Sequence, residues 1–214
     1  ASLTSGCGQT AQLTDAFSSD HPEYGIQSGD DNTEIPYFAK DLCVAEGDAE
    51  EIEADTSEAG AALFFNIDTK EVLYAKNIYE RLYPASTTKL MTALVALKNG
   101  DLDEQTTVSQ ESVTFHESGV STAKLKAGDV LTLRQLLYAL LLPSANDAAN
   151  VIAEQIAGSQ DQFVAMMNAE AKEIGATGSH FVNANGLHDE NHYTTAYDLY
   201  LIFQAAMPYD DFME

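Results

Sequence analysis

Ser86 and Lys89 stand three residues apart in the run Tyr83-Pro84-Ala85-Ser86-Thr87-Thr88-Lys89-Leu90-Met91-Thr92. On a helix that spacing puts a hydroxyl and an amine on one face. A serine hydroxyl is a poor nucleophile until a neighbouring base takes its proton, and a lysine amine acts as that base when its surroundings hold it neutral. The backbone N–H groups of a first helical turn add a positive end, which favours negative charge developing at the serine oxygen. The same residues also describe a helix-capping serine beside a surface lysine, so the pair needs support from elsewhere in the chain.

A second polar pair follows Pro143, in Leu141-Leu142-Pro143-Ser144-Ala145-Asn146-Asp147-Ala148-Ala149. The Ser144 hydroxyl can relay a proton, and the Asn146 amide can hold an acyl or peptide group by donating and accepting at once. Pro, Ser and Asn also build ordinary turns.

The elements that must position these residues are legible from periodicity and punctuation. Pro84 stops what precedes it, and Leu90, Met91, Leu94, Val95 and Leu97 recur at helical spacing until Gly100. Thr132-Leu133-Arg134-Gln135 reads as a capping box opening a helix over 133–142, which Pro143 ends. A helix over 148–157 is closed by Gly158, and Ser159 caps another over 160–174, closed by Gly175. Thr195 and Asp198 read as a cap for the helix carrying Leu199, Ile202 and Phe203. Ahead of Ser86, residues 61–67 and 71–76 fit two strands joined by a tight turn. Val72 and Tyr74 alternate with Leu73 and Ala75, as in a sheet lying under helices. Residues 101–130 read as loops and short strands, with His116 a lone surface histidine.

Composition narrows the function. The chain has 214 residues, 45% of them hydrophobic, which is enough for a core. A formal charge of −24 argues against nucleic acid and against electrostatic adhesion to anionic lipid, since both partners are negative. Two cysteines, Cys7 and Cys43, rule out a disulfide-rich scaffold and leave free thiols or a single bridge open. No apolar run approaches the length of a membrane-spanning helix. From Asp15 to Glu58 acids dominate and Lys40 is the only base, a composition that repels itself and buries little. Residues 1–58 are therefore expected to be an acidic, flexible N-terminal segment, with the apolar piece 35–44 able to lie against a folded domain over 59–214. Asp30-Asp31-Asn32 lacks the spacing of a calcium loop, and His188, Asp189, Glu190 and His192 lack the helical spacing of a zincin. Neither a metal nor a cofactor is expected.

Taken together and in this order, the two motifs resemble those of the low-molecular-mass penicillin-binding proteins that act as serine D-alanyl-D-alanine carboxypeptidases, relatives of the class A β-lactamases. The resemblance implies an α+β fold of the DD-peptidase/β-lactamase type, a helical cluster packed on an antiparallel sheet. It implies Ser86 as nucleophile, Lys89 as its base, Ser144 as proton relay and Asn146 as a substrate-binding residue. It implies a peptidoglycan stem peptide as substrate, β-lactam antibiotics as mimics that trap the acyl-enzyme, and the bacterial cell envelope as location. The family's third motif, Lys-Thr-Gly or a close variant on a later strand, has no counterpart; Ala176-Thr177-Gly178 lacks the lysine and comes too early. Residues 59–214 are thus expected to be an incomplete catalytic domain without the C-terminal strands of the sheet, and the open edge leaves room for a dimer. A β-lactamase is the nearest alternative, although no Glu-x-x-Leu-Asn loop follows Asn146; a non-catalytic surface scaffold is another. Leu3-Thr4-Ser5-Gly6-Cys7 is similar to the end of a bacterial lipoprotein signal, so membrane anchoring through a lipidated Cys7, or through a segment outside this chain, is expected.

Overall fold

In the computed structural model, which describes residues 42–213 apart from 46, 51, 53 and 54, the first regular element is a short strand, β1 (Ala49–Glu50). It is followed by the hairpin β2 (Ala62–Asn66) and β3 (Glu71–Lys76), and β3 lies between the other two, antiparallel to both. The Asn66 side-chain oxygen accepts from the N–H of Asp68 (2.9 Å) and of Thr69 (3.1 Å), the local bonding that makes asparagine a turn residue. Phe64 pairs with Tyr74, and a bulge follows between Phe64 and Phe65. Phe65 then meets the Tyr200 ring edge-on at 4.3 Å between centroids, which seats the sheet under the helices.

The folded domain begins well before residue 59, contrary to the expected boundary. Cys43 is buried, its backbone N–H donates to Tyr200 Oη (2.7 Å), and its carbonyl accepts from Tyr197 Oη (3.1 Å). The Tyr79 hydroxyl donates to the Ala45 carbonyl, and Asp48 Oδ1 accepts from the N–H of Asn77 at 2.7 Å. Acidic composition measures only the side chains; here the backbone at Cys43 and Ala45 finds tyrosine hydroxyls and β1 joins the sheet, so the described part of the segment, from residue 42 on, is built into the fold. Residues 1–41, and with them Cys7 and its expected lipid or disulfide, lie outside the described residues. Tyr200→Phe leaves the buried Cys43 N–H without its acceptor and is expected to cost about 1–3 kcal/mol, read as a shift in urea unfolding midpoint at unchanged slope.

After the sheet, a single 3₁₀ turn (Ala85–Thr87) leads into α1 (Thr88–Asn99), the axis of the domain. A two-stranded ribbon of β4 (Gln105–Thr107) and β5 (Val130–Thr132) comes next. The remaining helices are α2 (Leu133–Leu141), α3 (Asn146–Ala157), α4 (Gln160–Glu173), α5 (Ala196–Ala206) and the short α6 (Asp210–Met213). α1 packs against α2, α3, α4 and α5, and its Met91, Ala93, Leu94, Val95 and Ala96 are fully buried among them. The capping box forms as its residues imply: Gln135 N–H donates to Thr132 Oγ1, and Gln135 Oε1 accepts from Thr132 N–H. Lys98 of α1 bridges to Glu170 (2.8 Å) and Glu173 (3.0 Å) of α4, and this pair of acids raises its pKa to about 12. α3 starts two residues earlier than periodicity implies, at Asn146 with Ala145 as an N-cap that makes no side-chain bond, and Asp147 in its first turn accepts from the N–H groups of Ala123, Ala148 and Leu125, tying the helix start to the loop before it.

Candidate active site

Ala85 adopts a left-handed backbone (φ 48°), an arrangement that costs a residue with a Cβ about 1–2 kcal/mol. The bend leaves Ser86 exposed and carries the next turn inward, so that Thr88 and Lys89 are buried. Thr87 Oγ1 donates to the Pro84 carbonyl at 2.7 Å and holds the turn shut. Lys89 is 3% exposed, and its Nζ donates to Ser86 Oγ (3.3 Å) and to the Asn185 carbonyl (2.6 Å). Among the described residues no carboxylate pairs with it. Burial without a counter-charge disfavours the ammonium form, and the Lys89 pKa falls to about 8.

Ser86 and Lys89 open onto a cleft of about 290 Å³ whose opposite wall is the end of α2 and the turn after it. Leu140 and Leu141 make the apolar part of that wall and Ser144 the polar part, with Leu90 of α1 completing the lining. Ser144 is itself left-handed (φ 59°), and its buried Oγ has no hydrogen-bond partner among the described residues. An unpaired buried hydroxyl costs about 1–3 kcal/mol, which a bound molecule able to pair with it recovers. Asn146 is the first residue of α3; it is buried, its N–H donates to the Ser121 carbonyl (2.8 Å), and it does not line the cleft. The turn between them is fixed from outside by Ser121 Oγ, which donates to the Pro143 carbonyl (2.8 Å).

Three of the four residues singled out in the sequence thus share one cleft, with the hydroxyl and the amine in contact. A family model described as D-alanyl-D-alanine carboxypeptidase matches residues 48–213. The chain belongs to the D-alanyl-D-alanine carboxypeptidase family. It is 36% identical over 158 residues to D-alanyl-D-alanine carboxypeptidase DacF of Bacillus subtilis (strain 168), covering 72% of this chain and 40% of that protein. It is 34% identical over 162 residues to DacC of Escherichia coli (strain K12), again covering 72% of this chain and 40% of the relative. The chain therefore spans about 40% of the length of these curated relatives. Among solved structures it matches the DacD carboxypeptidase of Francisella tularensis with a TM-score of 0.67 at 31% identity, over 78% of this chain and 40% of that one. Penicillin binding protein 6B from Escherichia coli matches with a TM-score of 0.63 at 33% identity, over 66% and 47%. The α+β fold is of the DD-peptidase type, and the family match begins at 48, in keeping with a domain that starts before residue 59.

In this carboxypeptidase-family chain the site also depends on the segment 181–193, which sequence reasoning treats only as a loop ahead of a helix. Asn185 supplies the carbonyl that holds Lys89, and its own side chain donates to Asn150 Oδ1 on α3 (3.0 Å). Asn183 Oδ1 accepts from Gly186 N–H (2.7 Å), and Thr92 Oγ1 of α1 donates to the Ala184 carbonyl (2.6 Å). The one signal for this arrangement in the sequence is Asn185-Gly186, a turn dipeptide. Gly186 is left-handed (φ 86°), and a Cβ there would overlap the Ala85 carbonyl oxygen and stand 3.1 Å from Thr88 Oγ1. Both obstacles are on the turn that carries Ser86. Gly186→Ala is expected to destabilise the fold by about 3 kcal/mol or more and to displace Ser86, read together as a lowered unfolding midpoint and lost acylation. Of the histidine-rich stretch, His188 sits edge-on to Tyr83 whereas His192 is buried, and among the described residues no group of three or more His, Cys, Asp or Glu side chains is arranged to hold a metal.

Proposed function

We propose that the protein carrying this chain is a serine-type D-Ala-D-Ala carboxypeptidase that trims the terminal D-alanine from peptidoglycan stem peptides. The observation that carries this reading is the buried Lys89 amine, 3.3 Å from Ser86 Oγ and without a carboxylate partner among the described residues. Ser86 Oγ attacks the carbonyl carbon between the two D-alanines while Lys89 Nζ takes its proton. The tetrahedral oxyanion is stabilised by backbone N–H groups, that of Ser86 among them. The C–N bond then breaks as the Ser144 hydroxyl passes a proton to the departing amine and regains one from Lys89 Nζ, so D-alanine leaves an acyl group on Ser86 and Lys89 returns to its neutral form, ready to take a proton from water. Water adds to that ester and releases the shortened peptide. Asn146 is assigned to the acyl chain from its place two residues beyond Ser144 rather than from the cleft wall. The mechanism draws on no metal or cofactor. β-Lactam antibiotics mimic the scissile amide and acylate the same oxygen.

Such a substrate places the protein outside the cytoplasmic membrane, in the bacterial cell envelope. Anchoring through a lipidated Cys7, or through a segment outside this chain, completes the proposal.

The test is to incubate the full-length protein with a stem pentapeptide ending in D-Ala-D-Ala, and separately with a chromogenic cephalosporin. Released D-alanine with negligible cephalosporin turnover supports the carboxypeptidase. Rapid cephalosporin turnover makes it a β-lactamase, and neither reaction from a folded protein makes it a non-catalytic scaffold.

A further inference from the structure

The nucleophile turn is braced from behind by the segment 181–193, and one contact there plays no part in the proton transfers proposed above. His192 is 2% exposed, with its ring edge-on to Phe181 at 5.7 Å between centroids. The N–H of Val182 donates to His192 Nδ1 (3.2 Å), so Nδ1 carries the lone pair and the ring hydrogen resides on Nε2. Nε2 lies 2.8 Å from Thr88 Oγ1 and donates to it. A second ring proton would set one N–H against another at Val182. Burial adds to this and lowers the His192 pKa to about 4, outweighing Asp189, which favours the charged ring, while His180 disfavours it. The ring is thus a neutral donor of fixed tautomer.

Thr88, the acceptor, is fully buried and begins α1, between Ser86 and Lys89. Fixing its hydroxyl selects one of the two χ1 rotamers between which a helical threonine divides, and so helps hold the first turn of the helix. That turn follows left-handed Ala85, a conformation that persists only where its surroundings over-determine it. The same loop that carries His192 supplies the Asn185 carbonyl to Lys89 Nζ and lays Gly186 against the Ala85 carbonyl. Loop and turn are therefore registered at these three points, and of the three the His192–Thr88 contact is the hydrogen bond made between two side chains. His192 lines a small cavity of about 80 Å³ behind Tyr83 and Pro84, not the cleft onto which Ser86 opens, so it does not reach substrate.

We infer that His192 is a positioning residue for the Ser86–Lys89 pair, acting through the hydrogen bond from its Nε2 to Thr88. This rests on the reading of Ser86 and Lys89 as nucleophile and base. A first turn left free to shift by a fraction of an ångström changes the attack geometry but not the cleft's affinity, so the loss falls on the chemical step.

The experiment measures benzylpenicillin acylation of the full-length protein, separating apparent affinity from the limiting acylation rate. His192→Leu is expected to lower the limiting rate by about tenfold or more with apparent affinity nearly unchanged. His192→Gln, whose amide offers a donor near the Nε2 position, is expected to stay within about threefold of the parent. Thr88→Val, which removes the acceptor at constant shape, should match His192→Leu, and the double variant should lose no more than either alone. Wild-type rates in folded Thr88→Val or His192→Leu, or losses that multiply in the double variant, overturn the inference. Should His192→Leu fail to fold, Thr88→Val decides by its rate alone. Nitrogen-15 NMR of the imidazole reads the hydrogen bond independently of catalysis, through an Nε2-protonated ring whose shift moves in Thr88→Val. If the parent protein forms no adduct while that NMR signature is present, it is the catalytic reading that fails, not the bond.

Discussion

Ser86→Ala is expected to eliminate D-alanine release, by about 10⁴-fold or more, while leaving the unfolding midpoint nearly unchanged. The two halves of this expectation have separate causes. In the proposed mechanism the Ser86 oxygen is the atom that forms the acyl bond, and its loss leaves no group assigned to replace it. The fold tolerates the change because Ser86 is exposed and Lys89 keeps its shorter bond to the Asn185 carbonyl. The measurement is a coupled D-alanine assay on purified full-length protein beside a thermal melt. Activity persisting in a folded Ser86→Ala protein would assign the nucleophile elsewhere.

Lys89→Met is expected to lower acylation by about 10²–10⁴-fold, the usual worth of a general base, and at the same time to stabilise the fold. At neutral pH the buried amine is still mostly protonated although its folded pKa is about 8, below the ordinary lysine value of 10.5. The folded state therefore binds the proton less well than the unfolded chain, at a cost of about 3 kcal/mol below pH 8. The sign of the pH dependence follows. As pH rises from about 8 to 10.5 the unfolded chain still holds the proton that the folded state has released, so stability rises and the cost fades. Methionine fills the same unbranched volume without that cost. Stability of the parent measured against Lys89→Met should consequently converge as pH rises through this window. Acylation by the parent should climb with pH and level off above about 8, as the neutral base becomes the major form. Lys89→Arg, always charged, should lose acylation without recovering it at high pH. A flat profile through pH 8, or normal acylation by Lys89→Arg, would remove Lys89 from the role of base.

What the sequence disclosed and what it hid divide along range. The hairpin at Asn66, the capping box of Thr132 and Gln135, and the helix stops at Gly100 and Gly158 are each decided by residues within one turn, and each forms where its residues place it. The contact of Ser86 with Lys89 is local in the same sense. The start of the domain was not legible, because Cys43 is held by Tyr197 and Tyr200, more than 150 residues further along, and an acidic run looks the same whether or not its backbone is paired. Asn185 was equally hidden. Its contribution is a backbone carbonyl delivered 96 residues beyond Lys89, and no side-chain type advertises that. In the sequence His192 lacks the spacing of a metal ligand, and nothing local to it shows that burial and the Val182 N–H make it a neutral donor to Thr88. Asn146, read as part of the break ahead of a helix over 148–157, is instead the first residue of α3, and it is not among the residues that line the cleft.

The most direct measurement of the central claim, that Ser86 is acylated with Lys89 as its base, is the mass of the full-length protein after brief incubation with benzylpenicillin, followed by peptide mapping. A single adduct is expected, on the peptide that contains Ser86, forming faster as pH approaches about 8. A folded protein that gains no mass, or that carries the adduct on a peptide without Ser86, would contradict it.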